Sequence, residues 1–146
     1  NIMLEFRQMR PEDVPTISRL EAETFSMPWS ENDFLQMIVH DDARYYVAVR
    51  DGEIVGGCGL YLVAGEGNIT NVVIAPHARG EGIGTCLMQH MLAEGAKEGL
   101  QAFTLEVRVS NTIAIHLYEK TGFVSEGIRP GFYEKPTEDA VIMWKR

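Results

Sequence analysis

The sequence predicts a single α/β domain, spanning 1–146, built on one mixed, mostly antiparallel sheet of about seven strands flanked by about four helices. Three observations carry this. The chain has 146 residues, 45% of them hydrophobic, which is enough for one core without disulfides or a structural metal. The turn signals Asp51-Gly52 and Gly65-Glu66-Gly67 separate β-branched and aromatic runs, as in an antiparallel meander. Beyond a glycine-rich stretch, apolar residues switch to helical spacing, and strand and helix patterns then alternate.

Leu4 and Phe6 alternate with Glu5 and Arg7 as a short first strand. Pro11-Glu12-Asp13 starts a helix whose apolar face continues through Ile17, Leu20 and Phe25. Met27-Pro28-Trp29-Ser30 breaks it, and Ser30 with Asp33 has the pattern of a capping box for a second helix to about His40. Residues 45–49, 54–63 and 68–74 make three strands, the last ended by Pro76, which cannot donate to a ladder. Ile83, Leu87, Met91 and Ala96 mark a helix face, with Gly95 and Gly99 at its frayed end. Residues 102–109 form a strand and 111–121 a helix stopped by Gly122. Two strands, 123–128 and 140–144, close the chain around a loop rich in Pro and Gly. Asn1 and Ile2 are given no role.

With 13 Lys plus Arg against 21 Asp plus Glu, the formal net charge is −8. A nucleic-acid binder normally presents a basic face, so that class is excluded, and a cationic partner is favoured. Cys58 and Cys86 lie far apart and share no metal-spaced cluster with histidine, so a reduced cytoplasmic protein without a metal is expected. Both thiols are expected to pack in the core, because Cys58, in Gly-Gly-Cys-Gly, has no neighbouring base to activate it. Apolar runs fall short of the about 18 residues a membrane span needs, and no charged-then-apolar leader opens the chain. Neither membrane insertion nor secretion is expected.

The most informative stretch is Val72-Val73-Ile74-Ala75-Pro76-His77-Ala78-Arg79-Gly80-Glu81-Gly82-Ile83-Gly84-Thr85. It reads as strand, glycine-rich turn and helix start. Glycines at alternate positions allow positive φ and close approach, so successive N–H groups can converge with a helix N-terminus on an anion such as a pyrophosphate. Arg79 adds a pairing charge and Thr85 a hydroxyl. No Lys-Ser/Thr pair follows as in a P-loop, and no acidic residue stands at the dinucleotide-binding distance. A turn without a ligand is the alternative these residues leave open.

Arg79-x-x-Gly82-x-Gly84 resembles the Arg/Gln-x-x-Gly-x-Gly/Ala signature of the GNAT superfamily, the acetyl-coenzyme A-dependent N-acetyltransferases. Further on, Leu105-Glu106-Val107-Arg108-Val109-Ser110-Asn111, Ala114-Ile115, Leu117-Tyr118-Glu119 and Gly122-Phe123 resemble more narrowly its RimI subfamily. Those bacterial enzymes acetylate the N-terminal alanine of small-subunit ribosomal protein eighteen. Pro28-Trp29-Ser30 and Glu138-Asp139-Ala140 are similar too, so the likeness spans nearly the whole chain. The resemblance implies a sheet splayed between its fourth and fifth strands, with acetyl-coenzyme A in the notch. Backbone groups of Val72, Val73 and Ile74 would take its pantetheine arm as an added strand, and Arg79, Gly80, Glu81, Gly82, Ile83, Gly84 and Thr85 its pyrophosphate.

It further implies Glu106 as general base, directly or through water, Tyr118 as general acid toward the departing thiolate, and Asn111 as a cofactor contact. The backbone N–H of Val73 or Ile74 would meet the developing oxyanion. Trp29 and the segment 129–136, with Tyr133, would flank the acceptor amine. Phe132 stands where the subfamily often has a first tyrosine, which removes one hydroxyl. The residues alone leave Trp29 open between acceptor contact and helix-junction plug, Asn111 between cofactor contact and N-cap, and Tyr118 between acid and helix-face aromatic. The cofactor turn by itself would equally allow a small-molecule amine or a lysine side chain as acceptor. A non-catalytic acetyl-coenzyme A-binding module has no use for an acid–base pair.

Overall fold

The chain, described over residues 3–146 by a computed structural model, turns first on local chemistry; Asn1 and Ile2 lie outside the described residues. Strand β1 (Leu4–Gln8) leads through a 3-10 turn at Pro11–Asp13 into α1 (Val14–Thr24), and α2 (Glu31–Val39) follows. Ser30 caps α2 reciprocally: its hydroxyl accepts from the Asp33 N–H at 3.2 Å, and the Asp33 carboxylate accepts from the Ser30 N–H at 2.9 Å. Phe25, expected on the face of α1, lies just beyond its end. β2 (Ala43–Arg50) and β3 (Glu53–Val63) join at Asp51-Gly52, whose φ values of 50° and 83° are those of a two-residue hairpin turn.

The second hairpin departs from expectation. It turns at Ala64-Gly65, with Val63 opposite Glu66, so β4 (Glu66–Ile74) begins earlier than predicted. Gly67 serves packing rather than the turn, since a Cβ there would lie 2.7 Å from Leu60 and 2.8 Å from Phe103. The same ring excludes a side chain at Gly95, which is a buried residue inside α3 (Ile83–Lys97) and no frayed end. Ala96 is exposed, and Leu92 and Gly95 take the inward positions instead. β5 (Ala102–Arg108), α4 (Thr112–Lys120), β6 (Val124–Tyr133) and β7 (Glu138–Lys145) complete the chain. β6 runs on through Pro130 and Gly131, where a loop was expected; it is an edge strand, so the missing proline N–H costs no ladder bond.

The sheet order is β1-β2-β3-β4-β5-β7-β6, antiparallel except between β4 and β5. α1 and α2 cover one face through Ile17, Phe34 and Met37. α3 and α4 cover the other, against Leu105, Val107 and Met143. β4 and β5 pair only at Glu66–Ala102, Gly67–Phe103 and Asn68–Thr104, and then part. The parting begins at a bulge. Leu60 faces Ile69 and Cys58 faces Val72, so Gly59 alone opposes both Thr70 and Asn71. A Cβ on Gly59 would sit 2.2 Å from the Thr70 hydroxyl, which is why the bulge needs glycine opposite it.

Candidate active site

Where β4 and β5 separate, a cleft of about 1210 Å³ opens, lined among others by Asn71, Val72, Glu106, Asn111, Tyr118 and Tyr133. Beyond Asn68 the β5-facing edge of β4 has no strand partner. On the other edge, the Ala75 N–H donates to the Val55 carbonyl, while the Ile74 carbonyl turns away from β3 and accepts from Arg79 Nε at 3.2 Å. By the alternation of an antiparallel ladder, Val72 and Ile74 direct their backbone groups into the cleft and Val73 directs its own toward β3. Of these, Val72 lines the cleft together with Glu106 and Tyr118, and Ile74 does not.

Alternation also sets the two candidate catalytic side chains. Leu105 and Val107 are buried against the α3 and α4 layer, so Glu106 points to the other face of the sheet. Its side chain is 32% exposed, and the Arg129 guanidinium lies 3.7 Å away. Tyr118, from α4, is only 7% exposed and packs in the core beneath the cleft, edge-on to Phe123 at 6.1 Å. Burial pushes its phenol well above the usual range, which keeps the hydroxyl protonated. Burial first, and then the Glu106 carboxylate, push the Tyr133 phenol up to about 12. The Arg108 guanidinium lies 4.5 Å over the Tyr133 ring and donates to the carbonyls of Glu134 and Pro136, both at 2.8 Å, and to Glu138 at 3.1 Å. It thereby ties the hairpin carrying Tyr133 to β5.

The glycine-rich turn is shaped as an anion site. Gly80 and Gly82 both have φ of 79°, with open space where a Cβ would be, and Gly82 caps α3. Gly84 is helical instead, and a Cβ there would touch Leu117 at 3.4 Å. The first bond within α3 runs from the Cys86 N–H to the Gly82 carbonyl, which leaves the N–H groups of residues 82–85 without acceptors inside the helix. Ile83 is buried and anchors the helix start, and Thr85 is half-buried. Glu81 is drawn aside by Arg50 at 2.5 Å. A free helix N-terminus beside an unpartnered strand edge suits a pyrophosphate carried on an extended amide arm.

Other expected residues divide. Asn111 caps α4, its side chain accepting from the Ala114 N–H at 3.1 Å, and it also lines the cleft. Trp29 packs on Phe34 at 5.2 Å and lies outside the cleft lining, to which Thr24, Phe25, Ser26 and Met27 belong. Cys58 is buried with its thiol pushed up by burial, as expected for an inert core cysteine. Cys86 is exposed, against expectation, because it falls on the solvent side of α3. Sequence reasoning missed Asn71 and Arg108, for which a pairing register was the signal needed; Arg129, within the segment expected to flank the acceptor, does line the cleft. The cleft does not concentrate the chain's negative charge, since Glu66, Glu106 and Glu134 are matched there by Arg108, Arg129 and Lys135. Among the described residues no group of three or more His, Cys, Asp or Glu side chains is placed to hold a metal. No described helix is long and apolar enough to cross a membrane.

A family model described as the acetyltransferase (GNAT) family matches residues 14–123. A Bacillus subtilis (strain 168) protein, provisionally named a ribosomal protein bS18-alanine N-acetyltransferase, is 37% identical over 139 residues, covering 94% of this chain and 92% of its own. The Escherichia coli (strain K12) protein named ribosomal protein bS18-alanine N-acetyltransferase is 33% identical over 137 residues, 90% of this chain and 89% of its own. The crystal structure of the ribosomal-protein-S18-alanine N-acetyltransferase from Escherichia coli superposes with a TM-score of 0.89 at 29% identity, over 98% of this chain and 93% of that one.

Proposed function

Since the chain belongs to the acetyltransferase (GNAT) family and is an acetyl-CoA-dependent N-acetyltransferase, we propose that it acetylates a protein N-terminal α-amine, with the N-terminal alanine of ribosomal protein bS18 as acceptor. Glu106 is the general base and Tyr118 the general acid. The observation that carries this reading is that these two side chains reach one cleft from opposite faces of the sheet. The acceptor follows the names borne by relatives that align along most of both chains. A ribosomal acceptor accords with a cytoplasmic setting.

Bound acetyl-CoA supplies an acetyl group activated as a thioester. Arg79 and the free N–H groups of residues 82–85 would hold its pyrophosphate, and the edge of β4 at Val72 and Ile74 its pantetheine amides. An α-ammonium has no lone pair, but its pKa is about 7.7–8.0, so near neutrality Glu106 has only a modest proton to remove. Before that, its carboxylate offsets the ammonium's charge. Tyr118, kept protonated by burial, donates to the leaving sulfur. The Val72 N–H, on the open edge that lines the cleft with both groups, takes the oxyanion role in place of Val73, whose N–H faces β3, and of Ile74, which does not line the cleft. Tyr133 flanks the amine directly. Trp29 serves the acceptor by anchoring the segment that lines the cleft.

The test is an acetylation assay with N-terminal peptides, including an Ala-first bS18 peptide, beside lysine peptides and polyamines, with mass spectrometry to place the acetyl group. Transfer to the Ala-first α-amine is expected. Transfer confined to polyamines or lysine side chains would replace the acceptor, and acetyl-CoA binding without turnover on any of them would leave only a binding module.

A further inference from the structure

Of the charged residues on α1, Glu21 alone is buried, with no exposed surface, and the reaction described above does not use it. A carboxylate in a core is costly unless it is hydrogen-bonded, so its partners define its purpose. One oxygen, Oε1, accepts two bonds: from the Trp29 N–H at 2.9 Å and from the Asn71 side-chain amide at 3.0 Å. Asn71 lines the cleft itself, and Trp29 lies just behind a different wall of it. Trp29 lies in the connection between α1 and α2, whose Phe25, Ser26 and Met27 line the cleft. Asn71 is the second residue of the β4 bulge and adjoins Val72.

We propose that Glu21 is a positioning residue that locks the acceptor-side wall to the bulged strand carrying the oxyanion donor. Two donors sharing one oxygen cannot shift independently, so the spacing between the walls is set by a single buried atom. Glutamine keeps that oxygen in place; leucine fills the volume and abandons both donors. Burial raises the Glu21 carboxyl pKa, so an uncharged isostere is compatible with the site. The catalytic consequence rests on the acetyl-transfer reading above, whereas the coupling between walls does not.

The experiment compares Glu21→Leu, Glu21→Gln and Asn71→Ala with the parent by hydrogen exchange and by steady-state kinetics on an Ala-first peptide. In Glu21→Leu, amides of the segment 25–30 and of residues 70–72 are expected to exchange at least about tenfold faster. The peptide KM should rise and kcat fall, each at least about fivefold, while acetyl-CoA affinity falls less, because Arg79 and residues 82–85 keep their hold on the pyrophosphate. Glu21→Gln, which keeps the shared oxygen and sets its amide nitrogen where the buried Oε2 has no partner, should lose some stability but resemble the parent in exchange and kinetics. In Glu21→Leu, a lowered Tm with unchanged exchange and kinetics below it would overturn the proposal, as would equal losses of acceptor and acetyl-CoA binding. If Glu21→Leu does not fold, Asn71→Ala decides: faster exchange in 25–30 supports the lock, and unchanged exchange overturns it. Exchange requires no acceptor, so a parent inactive on the peptide would refute the acceptor assignment while the exchange result still judges Glu21.

Discussion

Arg50 on β2 holds Glu81 at 2.5 Å and so draws the one carboxylate of the turn 79–85 away from the free N–H groups of the α3 start. A negative side chain in an anion cradle would otherwise compete for those donors. Arg50→Ala is therefore expected to weaken acetyl-CoA binding by about two- to fivefold at low salt, less at high salt, whereas Glu81→Gln should not weaken it. Calorimetric titration of both variants checks the contrast.

On the proposed general-base role, Glu106→Gln should lower kcat at least about tenfold, with acetyl-CoA affinity little changed, because the residue faces away from the α3 and α4 layer. A variant as fast as the parent would remove Glu106 as base.

Tyr118→Phe should slow single-turnover acetyl transfer about tenfold or more while leaving the fold intact, since the ring still packs against Phe123. The pH profile adds a sign. Because burial raises the Tyr118 phenol, its loss of a proton lies far on the alkaline side. kcat/KM for the peptide should rise through the acceptor's pKa of about 7.7–8.0 and hold to at least about pH 9. A decline that begins near neutrality would contradict the acid role.

Gly59→Ala forces a methyl to within 2.2 Å of the Thr70 hydroxyl at the bulge. It should cost about 1–3 kcal/mol of stability, read by denaturant unfolding, and lower activity by closing the parting of the strands. Gly82→Val acts elsewhere. It strains a left-handed position at the cap of α3, and acetyl-CoA affinity should fall in a variant that still folds.

Turn and cap chemistry made most of the fold legible: Asp51-Gly52, the Ser30/Asp33 box and Gly122 act locally, and each element they bound stands where their residues place it. Glycines that serve packing were not legible. Gly67 and Gly95 make room for one ring, that of Phe103, and only the folded arrangement shows it. In the cleft, Glu106, Tyr118 and Asn111 were found through a family likeness. Asn71 and Arg108 act through long-range hydrogen bonds, 50 residues to Glu21 and 30 to Glu138, which no local pattern encodes. The same applies to the proposed oxyanion donor, because preferring Val72 to Val73 requires the register of β4 on β3.

The placement of Glu106 and Tyr118 on opposite faces of the sheet has a kinetic consequence. On the proposed assignment, acetyl donor and acceptor amine approach the one cleft from different sides and can occupy the protein together. Cys58, the thiol nearest in character to a covalent relay, is sealed in the core. Initial rates should therefore follow ternary-complex kinetics, with intersecting double-reciprocal lines, and coenzyme A and acetylated peptide should each inhibit without excluding the other's partner.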